Sequence, residues 1–243
     1  CTMCDLWRHT TTTPVTADQI LRQLDHALER LPEADAVKLY NSGSFFDRLA
    51  IPPAAYRGIA ERLRSYRRVI VESHPALLGR RTLRFRDLLD GRLEVAIGVE
   101  CIHPGVLDAL NKRLTVADLE RAVAWLHEHT LLIRAFILLR PPFLPDAAAL
   151  DWTCRTVRWA VSRGIQTVVL IPTRTGNGIM ERLQEAGRFA PPSPDTIEAA
   201  AAFLFAQPAP VRLLDTWDLA RFYPCPDCAR LQQERFERMN RTQ

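Results

Sequence analysis

Apolar runs of strand length alternate with segments of helical period almost from one end of this chain to the other. TADQILRQLDHALERL carries the 3.6-residue repeat, with Thr16 placed as its N-cap. AVKLYNS follows as a short apolar run, PAAYRGIAERLRSY as a helix, and RVIVESHP as a strand reaching Glu72. LRFRDLLDG reads as helical and LEVAIGVE as a strand ending at Glu100. The second half repeats the pattern. PGVLDALNKR and TVADLERAVAWLHEH are helical, LLIRAFILLRPPF is a strand, and AALDWTCRTVRWAVSRG is a helix. IQTVVLIPTRTGNG is a strand and loop, GIMERLQEAG and TIEAAAAFLFAQ are helices, and VRLLDTW is a last strand. Parallel strands need long crossovers, which helices supply, so this order predicts an α/β fold with a parallel sheet.

Polar residues gather where the strands end: Asn41 to Ser44, Glu72 to His74, Glu100 to His103, Arg140, and Thr173 to Asn177. In a parallel barrel those ends share one face, where sites are built. An open doubly wound sheet concentrates its site at one switch point, whereas here nearly every strand contributes. The prediction is therefore an incomplete parallel (β/α) barrel. A hydrophobic fraction of 47% and a charged fraction of 25% suit an ordinary globular domain. The longest apolar run, IEAAAAFLFA, is about half of a membrane span, so no membrane is expected as a partner. No signal peptide is visible, and the expected compartment is the cytoplasm. The net charge of +4 reads as scattered along the chain; it permits a nucleic-acid partner without requiring one.

Six cysteines are too few for a disulfide scaffold, yet four of them form two C-x-x-C pairs, Cys1/Cys4 and Cys225/Cys228. That spacing admits two readings. The pairs could together make a zinc site, as in a non-catalytic interaction protein. Alternatively, the first pair belongs to a larger cluster motif. At the second pair, Pro224 and Pro226 make a stiff turn that can present Cys225 and Cys228, either as free thiols or as part of a metal site recruiting Cys101 and His103.

CTMCDLW, NSGSFFD, VESHP, LEVAIGVE, LNKR and RAFILLRPPF together resemble the radical S-adenosylmethionine (SAM) superfamily. Within it, they look like the archaeosine-biosynthesis radical SAM family and its bacterial relatives. The resemblance implies a 4Fe–4S cluster held by three cysteines spaced C-x3-C-x2-C. Cys1 and Cys4 match the second and third, the first falling four residues before Cys1 together with the first barrel strand. It further implies SAM on the open iron, an electron from an external donor, and a 5′-deoxyadenosyl radical that takes a hydrogen atom from a substrate. The family's substrates suggest one that is tRNA-linked or derived from 7-deazaguanine.

The resemblance also assigns roles. Asn41, Ser42, Gly43 and Ser44 occupy the place of the glycine-rich segment whose carbonyls receive the SAM ammonium group. Glu72 and Glu100 are expected at the ribose or the amine, or else in ion pairs with Arg134 or Arg140. Either arginine is a candidate for the SAM carboxylate through a two-point guanidinium fork. Thr173, Arg174 and Asn177 are candidates for adenine or substrate, or for a helix-start loop in which Gly178 serves the backbone. His74 and His103 are candidates for substrate contact, and Cys101 and Cys154 read as core or helix residues. The expected organisation is a barrel over 1–223 and a C-terminal extension over 224–243.

Overall fold

The computed structural model describes every residue except Asp5, Ser42 and Gln243. Ser42, named above, therefore lies outside the described residues. Six strands, β1 (Ala36–Leu39), β2 (Arg68–Glu72), β3 (Arg92–Glu100), β4 (Leu132–Leu139), β5 (Thr167–Pro172) and β6 (Val211–Leu214), form one sheet in chain order. β1–β2, β2–β3, β4–β5 and β5–β6 pair in parallel. Nine α-helices lie among the described residues: α1 (Ala17–Leu28), α2 (Tyr56–Arg62), α3 (Arg80–Arg86), α4 (Pro104–Ala109), α5 (Val116–Glu128), α6 (Asp146–Ser162), α7 (Ile179–Glu185), α8 (Pro194–Phe205) and α9 (Pro226–Arg241). Parallel strands in sequential order, separated by helices, are the topology of the incomplete (β/α) barrel expected from sequence. Among the described residues no helix is long and apolar enough to cross a membrane.

The contacts divide the chain into two compact units. The first holds Cys1–Asp5, Gly98–Leu119 and Arg134–Gln243, and the second holds Leu6–Ile97 and Glu120–Ile133.

In the second unit, Val37 pairs with Val69 and Val69 with Leu93. β2 buries three consecutive residues, Val69, Ile70 and Val71, as a strand covered on both faces must. Phe45, Tyr56 and Phe85 pack beside it with ring centroids 4.7 to 5.8 Å apart. Thr16 does cap α1, in a reciprocal box with Gln19.

In the first unit, β4, β5 and β6 run in register from Arg134↔Thr167↔Val211 onward, and α6 packs against α8. β6 has β5 as its strand neighbour on one side only. On the other, the Asn240 side chain near the end of α9 receives the Leu214 N–H and donates to the Leu214 carbonyl, both at 2.9 Å. The amide imitates a neighbouring strand's peptide and satisfies an edge that would otherwise invite pairing. The 224–243 segment thus packs on β6 through α9. Asn240→Ala leaves the buried Leu214 backbone unpaired and should cost about 1–3 kcal/mol in urea denaturation, with the fold retained.

Candidate functional site

The first unit carries the Cys1–Cys4 loop, which has no strand or long helix of its own and is held by neighbours. Thr2 donates from its backbone N–H to the Leu110 carbonyl at 2.8 Å and from its hydroxyl to the Ala109 carbonyl at 3.0 Å. Those are carbonyls that the end of α4 leaves unpaired. Met3 packs against Cys101, Val106, Leu110, Leu144 and Ala149, and its carbonyl receives the Asn177 side-chain N–H at 2.7 Å. Cys4 N–H closes the turn onto the Cys1 carbonyl at 3.2 Å. Both thiols are free, Cys1 exposed and Cys4 partly so.

Asn177, expected at adenine or substrate, is engaged in positioning. Its Oδ1 receives the N–H groups of Ile179 and Met180 at 3.1 and 2.9 Å, capping α7, while its Nδ2 holds Met3. Gly176 and Gly178 both have positive φ, +127° and +75°, so the loop needs glycine. Their N–H groups donate to the Glu181 carboxylate at 2.5 and 2.7 Å. Backbone donors, its own N–H foremost, hold the Glu181 carboxyl below the usual range.

Glu100 and Arg140 follow the apolar runs of β3 and β4, and both adopt the left-handed backbone, with φ of +59°. This conformation is costly for a residue with a side chain and is concentrated at functional sites. Glu100 is buried and ion-pairs with Lys112, whose ammonium also donates to the Gly98 carbonyl at 2.6 Å. A Cβ at Gly98 would collide with both partners, so the glycine makes room for the pair. Sequence offered Glu100 either the SAM ribose or amine or an ion pair with an arginine. Lys112, in LNKR, takes that place.

Arg140 donates to the Pro191 carbonyl at 2.6 Å and ion-pairs with Asp146, but its buried Nε has no partner. Leu139 is in register with Pro172, so Thr173 follows β5 beside Arg140, with its N–H on the Leu139 carbonyl at 3.2 Å. The Thr173 hydroxyl is also buried and unpartnered. Two buried polar atoms, on residues that follow neighbouring strands, are thus without partners, and such atoms in a native fold call for an explanation. Arg134 is elsewhere. It registers with Thr167 at the start of β5, about 20 Å along the strand from Arg140, so the two arginines do not share a site. Arg174 pairs with Asp215 at 2.7 Å and lies over the Trp217 ring.

The second unit carries the other expected group. Asn41 and Gly43 line a cavity of about 840 Å³ together with Tyr40, Lys38 and the Thr10–Thr13 run. The Asn41 Oδ1 is buried without a partner. A Cβ at Gly43 would meet nothing nearer than the Asn41 amide at 3.9 Å, so the backbone there is open to approach. Ser44 Oγ receives the His74 N–H at 2.9 Å, and Phe45 N–H donates to the Glu72 carbonyl at 2.8 Å. The glycine-bearing loop is thereby locked to the end of β2.

The two histidines have a shared structural use. His74 and His103 each precede a proline, and each turns Nδ1 toward the N–H that opens the next helical turn, Ala76 and Val106, at 3.2 Å. His103 also packs edge-on against Trp152, and Cys101 Sγ receives its N–H at 3.5 Å. Cys101 is buried, which pushes its thiol up. Neither His103 nor Cys101 joins a metal group. Among the described residues, no three of Cys, His, Asp and Glu stand together as metal ligands, so the two C-x-x-C pairs do not form one four-thiol site. Thr2, Gly98 and Lys112 were missed in the sequence. The one signal available was a glycine inside a strand, a sign of close approach.

No family model matches the chain. An uncharacterized protein of Methanocaldococcus jannaschii, MJ0550, is 25% identical over 262 residues, spanning 100% of this chain and 72% of its own length. Archaeosine synthase subunit beta of Methanosarcina acetivorans is 25% identical over 201 residues, 79% of this chain. The match spans 58% of the synthase subunit's length. Among solved structures, Methanocaldococcus infernus Elp3 superposes with a TM-score of 0.64 at 13% identity, covering 91% of this chain and 58% of Elp3. Escherichia coli coproporphyrinogen III oxidase, HemN, a radical SAM enzyme, gives 0.58 at 14% identity, with 84% and 49% covered. The chain has the fold of these structures and resembles the radical SAM superfamily, with sequence similarity to archaeosine synthase subunit beta.

The Glu100–Lys112 pair lends itself to a direct test. Lys112→Ala strands a buried carboxylate and should destabilise the protein by about 3–5 kcal/mol in urea denaturation. The Glu100→Gln/Lys112→Met double variant should recover most of that loss, because no uncompensated charge remains. An unchanged unfolding midpoint in Lys112→Ala would show that the pair is idle.

Proposed function

We propose that this protein is a radical SAM enzyme. The observation that carries this reading is the clamped Cys1–Cys4 loop, a segment without regular strand structure whose two free thiols are fixed by Thr2, Met3 and Asn177. A structural loop has little reason to present thiols this way. Cys1 and Cys4 would supply two of the three thiolates of a 4Fe–4S cluster, leaving one iron open for SAM. Such a cluster would supply the electron, drawn from an external donor, for reductive cleavage of SAM and hydrogen abstraction from a substrate. Arg140 Nε and the Thr173 hydroxyl are donors suited to the SAM carboxylate or ribose, and their burial excludes water that would compete. Asn41 and Gly43 offer acceptors for its ammonium group, and Glu72 and Glu100 end their strands as further polar candidates.

For the substrate we favour a tRNA-linked or 7-deazaguanine-derived nucleoside, handled in the cytoplasm. The similarity to archaeosine synthase subunit beta supports it. So does the charge distribution, which is less scattered than a linear reading suggests. Residues 48–92 contain eleven arginines against four carboxylates, although Arg62, Arg67 and Arg68 pair with Asp25, Asp35 and Glu94 from outside the stretch. Arg80 and Arg84 lie one turn apart on α3, both exposed, and a phosphate backbone would relieve their mutual repulsion. The competing zinc-bridged interaction protein requires the two C-x-x-C pairs to converge, and they do not.

Calorimetry of SAM binding to the anaerobically reconstituted full-length protein tests the assignment. Arg140→Ala and Thr173→Val should each weaken SAM binding by about tenfold or more, the equivalent of one charge-assisted hydrogen bond. Affinities unchanged in both folded variants would remove these residues from the SAM site.

A further inference from the structure

Cys225 and Cys228 take no part in the site above, yet they are built as a functional unit. Cys225 is the N-cap of α9, a helix of 16 residues, and its Sγ receives the Cys228 N–H at 3.3 Å. Pro224 precedes the pair and Pro226 opens the helix, so the turn is stiff on both sides. Buried Phe222, Ala229 and Phe236 fix the base of the helix beneath it. Just upstream, Tyr223 donates to Glu198, which also ion-pairs with Arg235 farther along α9. Both thiols are free; Cys228 is exposed and Cys225 partly so.

The neighbouring Cys228, through its thiol and then its backbone N–H, holds the Cys225 thiol below the ordinary thiol range. As the donor of that pair, Cys228 is pushed above it. Cys101 and Cys154 differ, since burial pushes both of those thiols up, as expected of inert structural cysteines. Metal binding fits the pair less well, because among the described residues no third Cys, His, Asp or Glu joins them.

We infer that Cys225 and Cys228 form a redox-active dithiol whose substrate is an external disulfide. Cys225, as thiolate, attacks one sulfur of RS–SR′; a Cys225–SR bond forms and R′S⁻ leaves, taking up a proton. Cys228 then gives its proton to solvent and attacks Cys225 Sγ. The Cys225–Cys228 disulfide forms and RS⁻ departs. Two electrons pass from the protein thiols to the external disulfide, which ends as two thiols. No step requires SAM or an iron–sulfur cluster, so the result stands or falls apart from the proposed activity.

The tryptic peptide FYPCPDCAR contains both cysteines and neither of the cluster candidates, which allows a clean readout. Full-length protein is equilibrated in glutathione buffers of graded oxidation, quenched with acid and analysed by mass spectrometry. The wild-type peptide should lose two hydrogens as an internal disulfide, with one midpoint shared by both cysteines. Cys228→Ser should instead accumulate glutathione on Cys225. Cys225→Ser should slow reaction with oxidised glutathione at neutral pH by about tenfold, because the better nucleophile is gone. Independent glutathionylation of both cysteines in wild type, with no internal disulfide, would overturn the inference. So would one zinc ion bound per chain when zinc alone is added, if the Cys225→Ser/Cys228→Ser variant loses it.

Discussion

A loop without strand or long helix can place two thiols only if its neighbours place them, and Asn177 is the hub of that constraint. Its side-chain oxygen starts α7, while its nitrogen holds the Met3 carbonyl between Cys1 and Cys4. Thr2 ties the other side of the loop to the end of α4. Both anchors use groups left over by helix ends, an orphan carbonyl on one side and orphan N–H groups on the other. The thiols are therefore as well positioned as the α4 and α7 termini, and those are set by β3, β5 and their packing. In the cluster site proposed above, supporting residues of this kind would set the geometry without touching the metal.

Strain and unsatisfied polarity coincide in the same unit. Glu100 and Arg140 both leave their strands through left-handed backbone, an expense that the Lys112 and Asp146 ion pairs help to offset. Arg140 Nε and the Thr173 hydroxyl are nevertheless left buried without partners. Packing alone would have favoured apolar residues at these places. Their presence at neighbouring strand ends is what supports the SAM site proposed above.

The strand–helix alternation made most of the fold legible in the sequence, because covered parallel strands read as unbroken apolar runs, as in LEVAIGVE and LLIRAFILL. Ends were less legible. AVKLYNS yields a strand only over Ala36–Leu39, and VRLLDTW only over Val211–Leu214, where polar residues take over the backbone. At the site, residue type identified the candidates but not their partners. Nothing in the sequence distinguished Lys112 from Arg134 or Arg140 as the partner of Glu100, since that choice depends on where α4 delivers its following turn. Likewise, residue type offered His74 and His103 as candidates for substrate contact but did not show that each Nδ1 receives an N–H at the start of the following helical turn. Arg134 and Arg140 lie close in sequence and far apart along one strand.

The central claim, that the Cys1–Cys4 loop serves radical SAM chemistry, is tested most directly by anaerobic iron and labile-sulfide analysis. The sample is the full-length protein, before and after incubation with SAM and a low-potential reductant. The account predicts about four irons and four sulfides per chain, with 5′-deoxyadenosine released on reduction. Zinc without sulfide, and SAM left intact, would contradict it.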